Sequence, residues 1–488
     1  MGDDTTRHRG KFRSGSLRGS LPGDRGAERL APRPRDDTPR RNRDEPGDGV
    51  AARDVAASAL FSVFVEKRAF DDVFSKVSEA RGLAPRDRAF ARNIASTVLR
   101  HRGSLNAVIG RFLGKPLPEN QGRLEPILLS AAAQLLILKT PPHAAISLAV
   151  DQCRVDRSAQ RFAKLANAVL RRVSVEGPEI WAGFDHATLN CPSWMLTRWQ
   201  KHYGADRAHR IAAASLNEAP LDLSIKQDAE AWAERLGGIK LPTGSVRLSA
   251  SGRIEDLAGY DEGAWWVQDA AARLPALLFG DLRGRHVADL CAAPGGKTAQ
   301  LVLAGAQVTA VDKSPGRLNR LKANLARLGL DAEVAVADAA TFAPGRLFDA
   351  ILVDAPCTAT GTIRRHPDIL HLKRSDDVAA LAAVQAPILR RAAELLTVGG
   401  TLIYCTCSLE PEEGRDQIAA FLAEHANFAR LPVTPGDLAS ADQAAWPEVQ
   451  SWISADGDVR TLPCHLDALP TGLQGLDGFY AARLVRRG

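Results

Sequence analysis

The sequence predicts an α/β chain. A doubly wound parallel sheet over residues 264–488 follows an all-α region over residues 51–175 and a small α/β module over residues 176–263. Two patterns predict it. From Ala264 onward short apolar runs alternate with helical stretches, as in β–α units joined by crossovers. Between Ala51 and Val175, by contrast, apolar residues recur only at helical spacing. A length of 488 residues is enough for about three domains with cores of their own.

Composition narrows the class. With 45% apolar and 25% charged residues the chain is neither fibrous nor wholly disordered. The formal charge is only +6, and half of it sits in the first 50 residues, where 12 Arg and Lys face 9 Asp and Glu. Those residues alternate Gly, Pro, Arg and Asp without period and read as a disordered basic arm. The N-terminus is charged rather than apolar, so a cytoplasmic protein without a secretory signal is expected. No apolar run reaches the roughly 18 residues that cross a bilayer; Ile127–Leu138 is shorter and holds Ser130 and Gln134. No membrane association is expected. Seven cysteines, an odd number in a long chain, point to thiols rather than a disulfide framework.

The elements follow in order. Val55, Ala56, Ala59, Leu60, Val63 and Phe64 share one helical face. Further helices are expected over Asp87–Leu99, Leu105–Leu113, Ile127–Leu138, Ala144–Gln152 and Phe162–Arg172, with Pro141-Pro142 as a break. Basic clusters at helix ends, such as Arg100-His101-Arg102, are weak evidence of binding on their own. Helices over Ser193–His202 and Ala205–Leu216 lead into a strand–helix–strand unit, Leu221–Ile225, Ala229–Leu236 and Val246–Leu248. Beyond it strands are expected at His286–Cys291, Gln307–Val311, Ala332–Ala337, Phe348–Val353, Gly400–Cys405 and Phe479–Val485. Helices at Thr298–Leu303, Pro315–Leu328, Ser375–Leu396 and Glu412–His425 fill the gaps.

In such sheets ligands bind outside the carboxyl ends of the strands, and the motifs lie there. The first strand carries Asp289 and runs into Cys291-Ala292-Ala293-Pro294-Gly295-Gly296-Lys297. A Pro-Gly-Gly turn lets backbone approach a ligand that side chains would exclude. The second strand leads to Asp312, 23 positions after Asp289, where a ribose diol is held in nucleotide-binding sheets. The third leads to Asp338, placed for an adenine amino group. Together these acids favour an adenosine-type ligand. The fourth strand delivers Asp354-Ala355-Pro356-Cys357, and the fifth Cys405-Thr406-Cys407-Ser408. Thiols at adjacent strand ends favour chemistry over packing. No second cysteine pair or histidine cluster has ligand spacing, so no metal is expected.

On these residues the run from Trp265 to Gly488 resembles the NOL1/NOP2/Sun family of RNA cytosine-5 methyltransferases: Cys-Ala-Ala-Pro-Gly-Gly-Lys at 291–297, Asp-Ala-Pro-Cys at 354–357 and Thr-Cys-Ser at 406–408. The helical region is similar to the antitermination factor NusB, through Arg86-Asp-Arg-Ala-Phe90, His143-Ala-Ala-Ile146 and Ala166-Asn-Ala-Val-Leu-Arg171. The resemblance implies a class I, Rossmann-like, S-adenosylmethionine-dependent methyltransferase domain, preceded by a NusB-like RNA-binding domain and a small α/β linker domain. It implies methylation of a cytosine C5 in small-subunit (16S) ribosomal RNA; a monomer is expected. Family members usually carry Gly where Ala359 stands.

The chemistry explains the cysteines. Cytosine C5 is a poor nucleophile until a thiolate adds to C6 and gives C5 enamine character. The resemblance makes Cys407 that nucleophile and Cys357 the residue assisting release. Cys405, two positions earlier, is expected to face away and be structural. Asp354 is expected to hold the base's polar edge, and Lys297 to bond the base or position the nucleophile. Cofactor contacts are implied for Cys291, Ala292, Ala293, Pro294, Gly295, Gly296, Lys297, Asp312, Asp338 and Asp354. Arg364, Arg365 and His366 are expected on RNA phosphates, or else in an exposed basic loop. The target base must leave its stack to enter such a pocket. The alternatives are the same methylation on transfer RNA, and a non-catalytic NusB-like RNA-binding or assembly factor. The intact cysteines and strand-end acids speak against the second.

Overall fold

The computed structural model describes residues 48–118, 120–249, 252–439 and 446–488. Most of the basic arm expected over residues 1–50 therefore lies outside the described residues, and its last three positions open the first helix. That helix, α1 (Asp48–Phe64), buries the predicted face: Val55, Ala56, Ala59, Leu60 and Val63 are fully enclosed. After α2 (Phe70–Ala80), the two helices expected over 87–113 form one element, α3 (Pro85–Gly110), bent where His101 leaves helical geometry at φ −115°. α4 (Leu124–Leu136) is buried on nearly every side and runs through the middle of the helical core, flanked by α5 (Pro142–Val155) and α6 (Ala163–Ala182). The basic cluster at 100–102 is largely inward: Arg100 is buried, and Arg102 bonds Glu125 at 2.7 Å over the ring of Phe64.

α7 (His186–Asn190), α8 (Ser193–Tyr203) and α9 (Ala205–Ala214) lead into a small antiparallel sheet. It comprises β1 (Leu221–Ile225), β2 (Ile239–Lys240), β3 (Ser245–Leu248) and β4 (Trp265–Val267), in the order β2-β3-β1-β4, with α10 (Ala229–Leu236) packed beside it. The strand–helix–strand unit is where the sequence puts it. β2 and β4, at two and three residues, are too short to show a period.

The large sheet is built from α11 (Ala270–Leu277), β5 (His286–Leu290), α12 (Gly296–Leu303), β6 (Gln307–Asp312), α13 (Pro315–Leu328), β7 (Glu333–Val336), β8 (Phe348–Asp354), α14 (Ile369–Leu372), α15 (Ser375–Leu395), β9 (Leu396–Thr406), α16 (Arg415–Glu424), β10 (Phe428–Arg430), α17 (Pro435–Leu438), β11 (Val459–Arg460) and β12 (Tyr480–Arg486). Its order is β10-β12-β9-β8-β5-β6-β7, with β11 beside β12. The run β9-β8-β5-β6-β7 is parallel, whereas β12 pairs antiparallel with β9 and so departs from the all-parallel expectation. Strand order reverses between β5 and β8. That switch point opens a crevice at their carboxyl ends.

Candidate active site

The site grows from the switch point. β5 ends at Leu290, and Cys291 turns the chain with φ +65°. Gly295 caps α12 at φ +101°, where an added Cβ would lie 2.9 Å from Leu321 Cγ, so only glycine makes this turn. The turn sets Lys297 in the first turn of α12 with its stem buried and its Nζ 2.8 Å from Asp354 Oδ2, over the ring of Phe479. Burial opposes the ammonium charge, but Asp354, with Cys405 and Cys407 nearby, outweighs it and holds the Lys297 pKa above its usual value.

Asp354 is the last residue of β8, and Cys357 lies on the turn beyond it. Cys407 immediately follows β9. These separate turns bring the two sulfurs to 3.4 Å. Contact with Cys357 and enclosure push the Cys407 thiol well above its ordinary pKa; Asp354 adds to the rise and Lys297 opposes it.

Cys405 corrects an expectation. Positions i and i+2 on a strand share a face, so Cys405 cannot face away from Cys407 by alternation. Its thiol, fully buried, donates to Asp354 Oδ1 at 3.7 Å, beneath the site rather than on the opposite face.

Asp354, Cys357 and Cys407 line a cavity of about 510 Å³ together with Cys291, Ala293, Asp312 and Asp338. Ala292, Pro294, Gly295, Gly296 and Lys297 shape the turn behind this wall and are not on it. Asp312 is buried; its carboxylate accepts from the backbone of Ala293 and Ser314 and pairs with Arg317 at 3.2 Å. Asp338 is exposed, its carboxylate accepting from Ala340 N at 2.9 Å. Pro387 and Ile388 of α15 add an apolar side. Sequence reading missed Arg317 and these apolar residues; Arg317, one helical turn into the helix capped by Ser314, carried the only visible signal. Asp289 turns away from the cavity wall: it accepts from Thr298 Oγ1 at 2.6 Å, and burial raises its pKa to about 7. Burial likewise pushes the Cys291 thiol up to about 12.

In the basic run after Cys357 the two arginines turn inward to protein partners rather than lying free on the surface, and only His366 is exposed. Arg364 is 2% exposed and donates to Gln474 O at 2.7 Å. Arg365 donates to Asp269 at 2.6 Å and Asp477 at 3.1 Å. His366 sits 3.4 Å from Asp71 of α2. Acids distant in sequence capture the guanidinium of Arg365 and the imidazole of His366, which is why the local run reads as free charge. Among the described residues no helix is long and apolar enough to cross a membrane, and no group of three or more His, Cys, Asp and Glu is arranged to hold a metal.

A family model described as 16S rRNA methyltransferase RsmB/F matches residues 280–485, and one described as NusB family matches residues 50–175. Ribosomal RNA small subunit methyltransferase B of Sodalis glossinidius (strain morsitans) is 35% identical over 422 residues, spanning 83% of this chain and 91% of that protein. Its counterpart in Xanthomonas campestris is 36% identical over 422 residues, spanning 82% and 95%. The crystal structure of PH0851 superposes with a TM-score of 0.69 at 21% identity, over 91% of this chain and 99% of its own. NSun6 from Pyrococcus horikoshii with SFG gives 0.50 at 16% identity, over 61% and 98%. These two likenesses establish the fold.

Proposed function

Since the chain belongs to the ribosomal RNA small subunit methyltransferase B family, within the 16S rRNA methyltransferases described as RsmB/F, we propose that it methylates C5 of a cytosine in small-subunit ribosomal RNA, with S-adenosylmethionine as donor and a transient bond from Cys407 to C6. The observation that carries this reading is the 3.4 Å approach of Cys357 and Cys407 from separate strand ends, at the edge of an acid-lined cavity.

The cavity residues suit the donor. Asp312, held by two backbone amides, keeps acceptor capacity for a ribose diol, and Asp338 is free for an adenine edge beside Pro387 and Ile388. Cys291, Ala293 and Asp354 border the remainder. Bound there, S-adenosylmethionine supplies an electrophilic methyl group on a sulfonium centre.

The protein's residues prepare the base. With N3 protonated from solvent and its positive charge held against the Asp354 carboxylate, C6 becomes electrophilic. Cys407 loses its proton to solvent, its thiolate adds to C6, and the displaced ring electron pair gives C5 enamine character while neutralising N3. Lys297 lowers the cost of the Cys407 thiolate and fixes Asp354. After C5 is methylated its proton passes to a solvent base, the C5–H electron pair re-forms the C5=C6 double bond, and the C6–S pair leaves with Cys407 as a thiolate. Cys357 assists that release from 3.4 Å.

The test separates the thiols. Cys407→Ala is expected to abolish methylation and covalent capture, while Cys357→Ala accumulates a denaturation-resistant protein–RNA adduct. Capture by Cys407→Ala but not by Cys357→Ala would reverse the assignment. Bisulfite sequencing of RNA with and without the protein identifies the target: one lost 5-methylcytosine in small-subunit ribosomal RNA is expected, and a loss confined to transfer RNA would overturn the ribosomal address.

A further inference from the structure

Addition by Cys407 and release by Cys357 act on neighbouring carbons of one ring, so two turns from different strands must keep a fixed spacing. Catalytic groups need placement within about 0.5 Å. The β8–β9 ladder does not supply it by itself. Its last bond in this direction, Ala355 N to Cys405 O at 2.9 Å, lies two residues short of either thiol. Beyond it, Gly361 N donates to Cys407 O at 2.9 Å. Leu409 N also donates to Thr360 Oγ1 at 3.0 Å, and the link that reaches the residues directly after both thiols is Glu413, from the short 3-10 turn before α16.

The Glu413 carboxylate is fully buried and gathers four donors. Oε1 accepts from Thr358 N at 2.9 Å and from Gln385 Nε2 at 3.1 Å. Oε2 accepts from Ser408 Oγ at 2.5 Å and closely from Thr358 Oγ1. Thr358 directly follows Cys357, and Ser408 directly follows Cys407. The Thr358 and Ser408 hydroxyls are themselves 3.1 Å apart. Gln385 also donates to Pro356 O at 2.9 Å, so the Cys357 turn is gripped on both sides of its thiol. These partners are all neutral, and burial raises the Glu413 pKa. A buried carboxylate without a cation is a costly way to close a turn. What it offers is geometry, because a carboxylate alone has acceptor sites for four converging donors.

We propose that Glu413 is a positioning residue whose carboxylate, bonded to both Thr358 and Ser408, holds the Cys357 and Cys407 turns in register for adduct formation and release. This rests on the cytosine chemistry proposed above. Glu413 touches neither thiol and acts through the residues that follow them.

Glu413→Gln preserves volume but turns an amide donor toward other donors. Its single-turnover methylation is expected to fall about 10²-fold, the scale of a 1 Å misplacement, with cofactor affinity unchanged. Because release depends on Cys357 being in place, a denaturation-resistant RNA adduct should accumulate although both cysteines are intact. Thr358→Val and Ser408→Ala should each show a weaker form of this phenotype, and they carry the test if Glu413→Gln does not fold. Adding Thr358→Val to Glu413→Gln should cost little more, since both cut one link. A wild-type rate, or a lost rate with no adduct and weakened cofactor binding, would overturn the proposal. If Cys357→Ala itself traps no adduct, the cytosine chemistry fails; if it traps one and Glu413→Gln does not, only the positioning role fails.

Discussion

Two charged regions lie within the same fold and behave oppositely. Along the cavity, Asp338 is exposed, Asp354 is partly exposed and pairs with Lys297 behind the wall, and Asp312, though buried, borders the cavity braced by Arg317 and two backbone amides. Behind the Cys357 turn, Asp222, Arg247, Asp269, Arg365 and Asp477 face one another instead. Arg247 holds Asp222 through two 2.7 Å bonds with both side chains fully buried, and Arg365 bridges Asp269 and Asp477. The same acids also accept from backbone: Asp222 from Ala270 N at 3.0 Å, and Asp269 from Ala271 N at 2.8 Å. This knot ties β1, β3, α11, the segment after Cys357 and the approach to β12. Charge enclosed wholly by protein groups builds the frame, whereas paired charge that borders a cavity keeps one side open to a ligand.

The knot should break by unfolding. Arg365→Met strands two buried carboxylates and is expected to cost about 3–5 kcal/mol, read by denaturant unfolding. Lys297→Met, whose partner Asp354 is one-third exposed, should leave the unfolding midpoint nearly unchanged while methylation drops. Equal losses of stability in the two variants would erase the distinction between the regions.

The same Lys297 variant sharpens the comparison through pH. The Cys407 pKa is already raised by Cys357 and enclosure, and Lys297 opposes that rise. Removing the ammonium lifts the thiol pKa further and lowers the thiolate fraction at any pH below it. Raising a thiol pKa by one lowers its thiolate population about tenfold at pH values well below it. The methylation profile should therefore move to higher pH, with the largest deficit near neutrality and partial recovery in alkali. An unshifted profile would remove Lys297 from activation of Cys407. A smaller effect is expected at the cofactor. Asp312→Asn gives up a charged acceptor and should raise the dissociation constant for S-adenosylmethionine by about 10-fold or more, measured by calorimetry; unchanged affinity would take Asp312 off the ribose.

The difference between the regions also explains what the sequence disclosed. The cavity was legible because its parts are local: the acids and thiols stand at strand ends or on the turns just beyond them, and α13 begins and ends at Pro315 and Leu328 as expected, with Ser314 capping it and Gly329 ending it at φ +62°. The knot was not legible, because Arg365 meets Asp269 and Asp477 only after folding, and its charge reads locally as free. The overlooked α2 is only 11 residues long, yet Phe70, Val73, Phe74 and Val77 share one face at helical spacing, a signal the sequence did carry. The bend at His101 made one helix look like two. Cys405 was misjudged for a different reason, the parity of strand positions, which the spacing to Cys407 already held.

Ala359 tests the boundary between frame and site with the smallest expected effect. It lies on the cavity wall, in the turn after Cys357, at φ +59°. An L side chain in this left-handed region costs about 1–2 kcal/mol, and this is the position where relatives by resemblance usually carry Gly. Glycine removes that strain but adds unfolded-state freedom worth about 0.5–1 kcal/mol. Ala359→Gly should thus stabilise the protein by about 0.5–1 kcal/mol, seen as a higher denaturant midpoint at unchanged slope. Methylation should stay close to wild type, because the backbone bonds that Ala359 precedes, including Gly361 N to Cys407 O, do not involve its methyl group. A destabilised Ala359→Gly would mean that this methyl packs as part of the frame, and that the strained turn belongs with the knot rather than with the cavity.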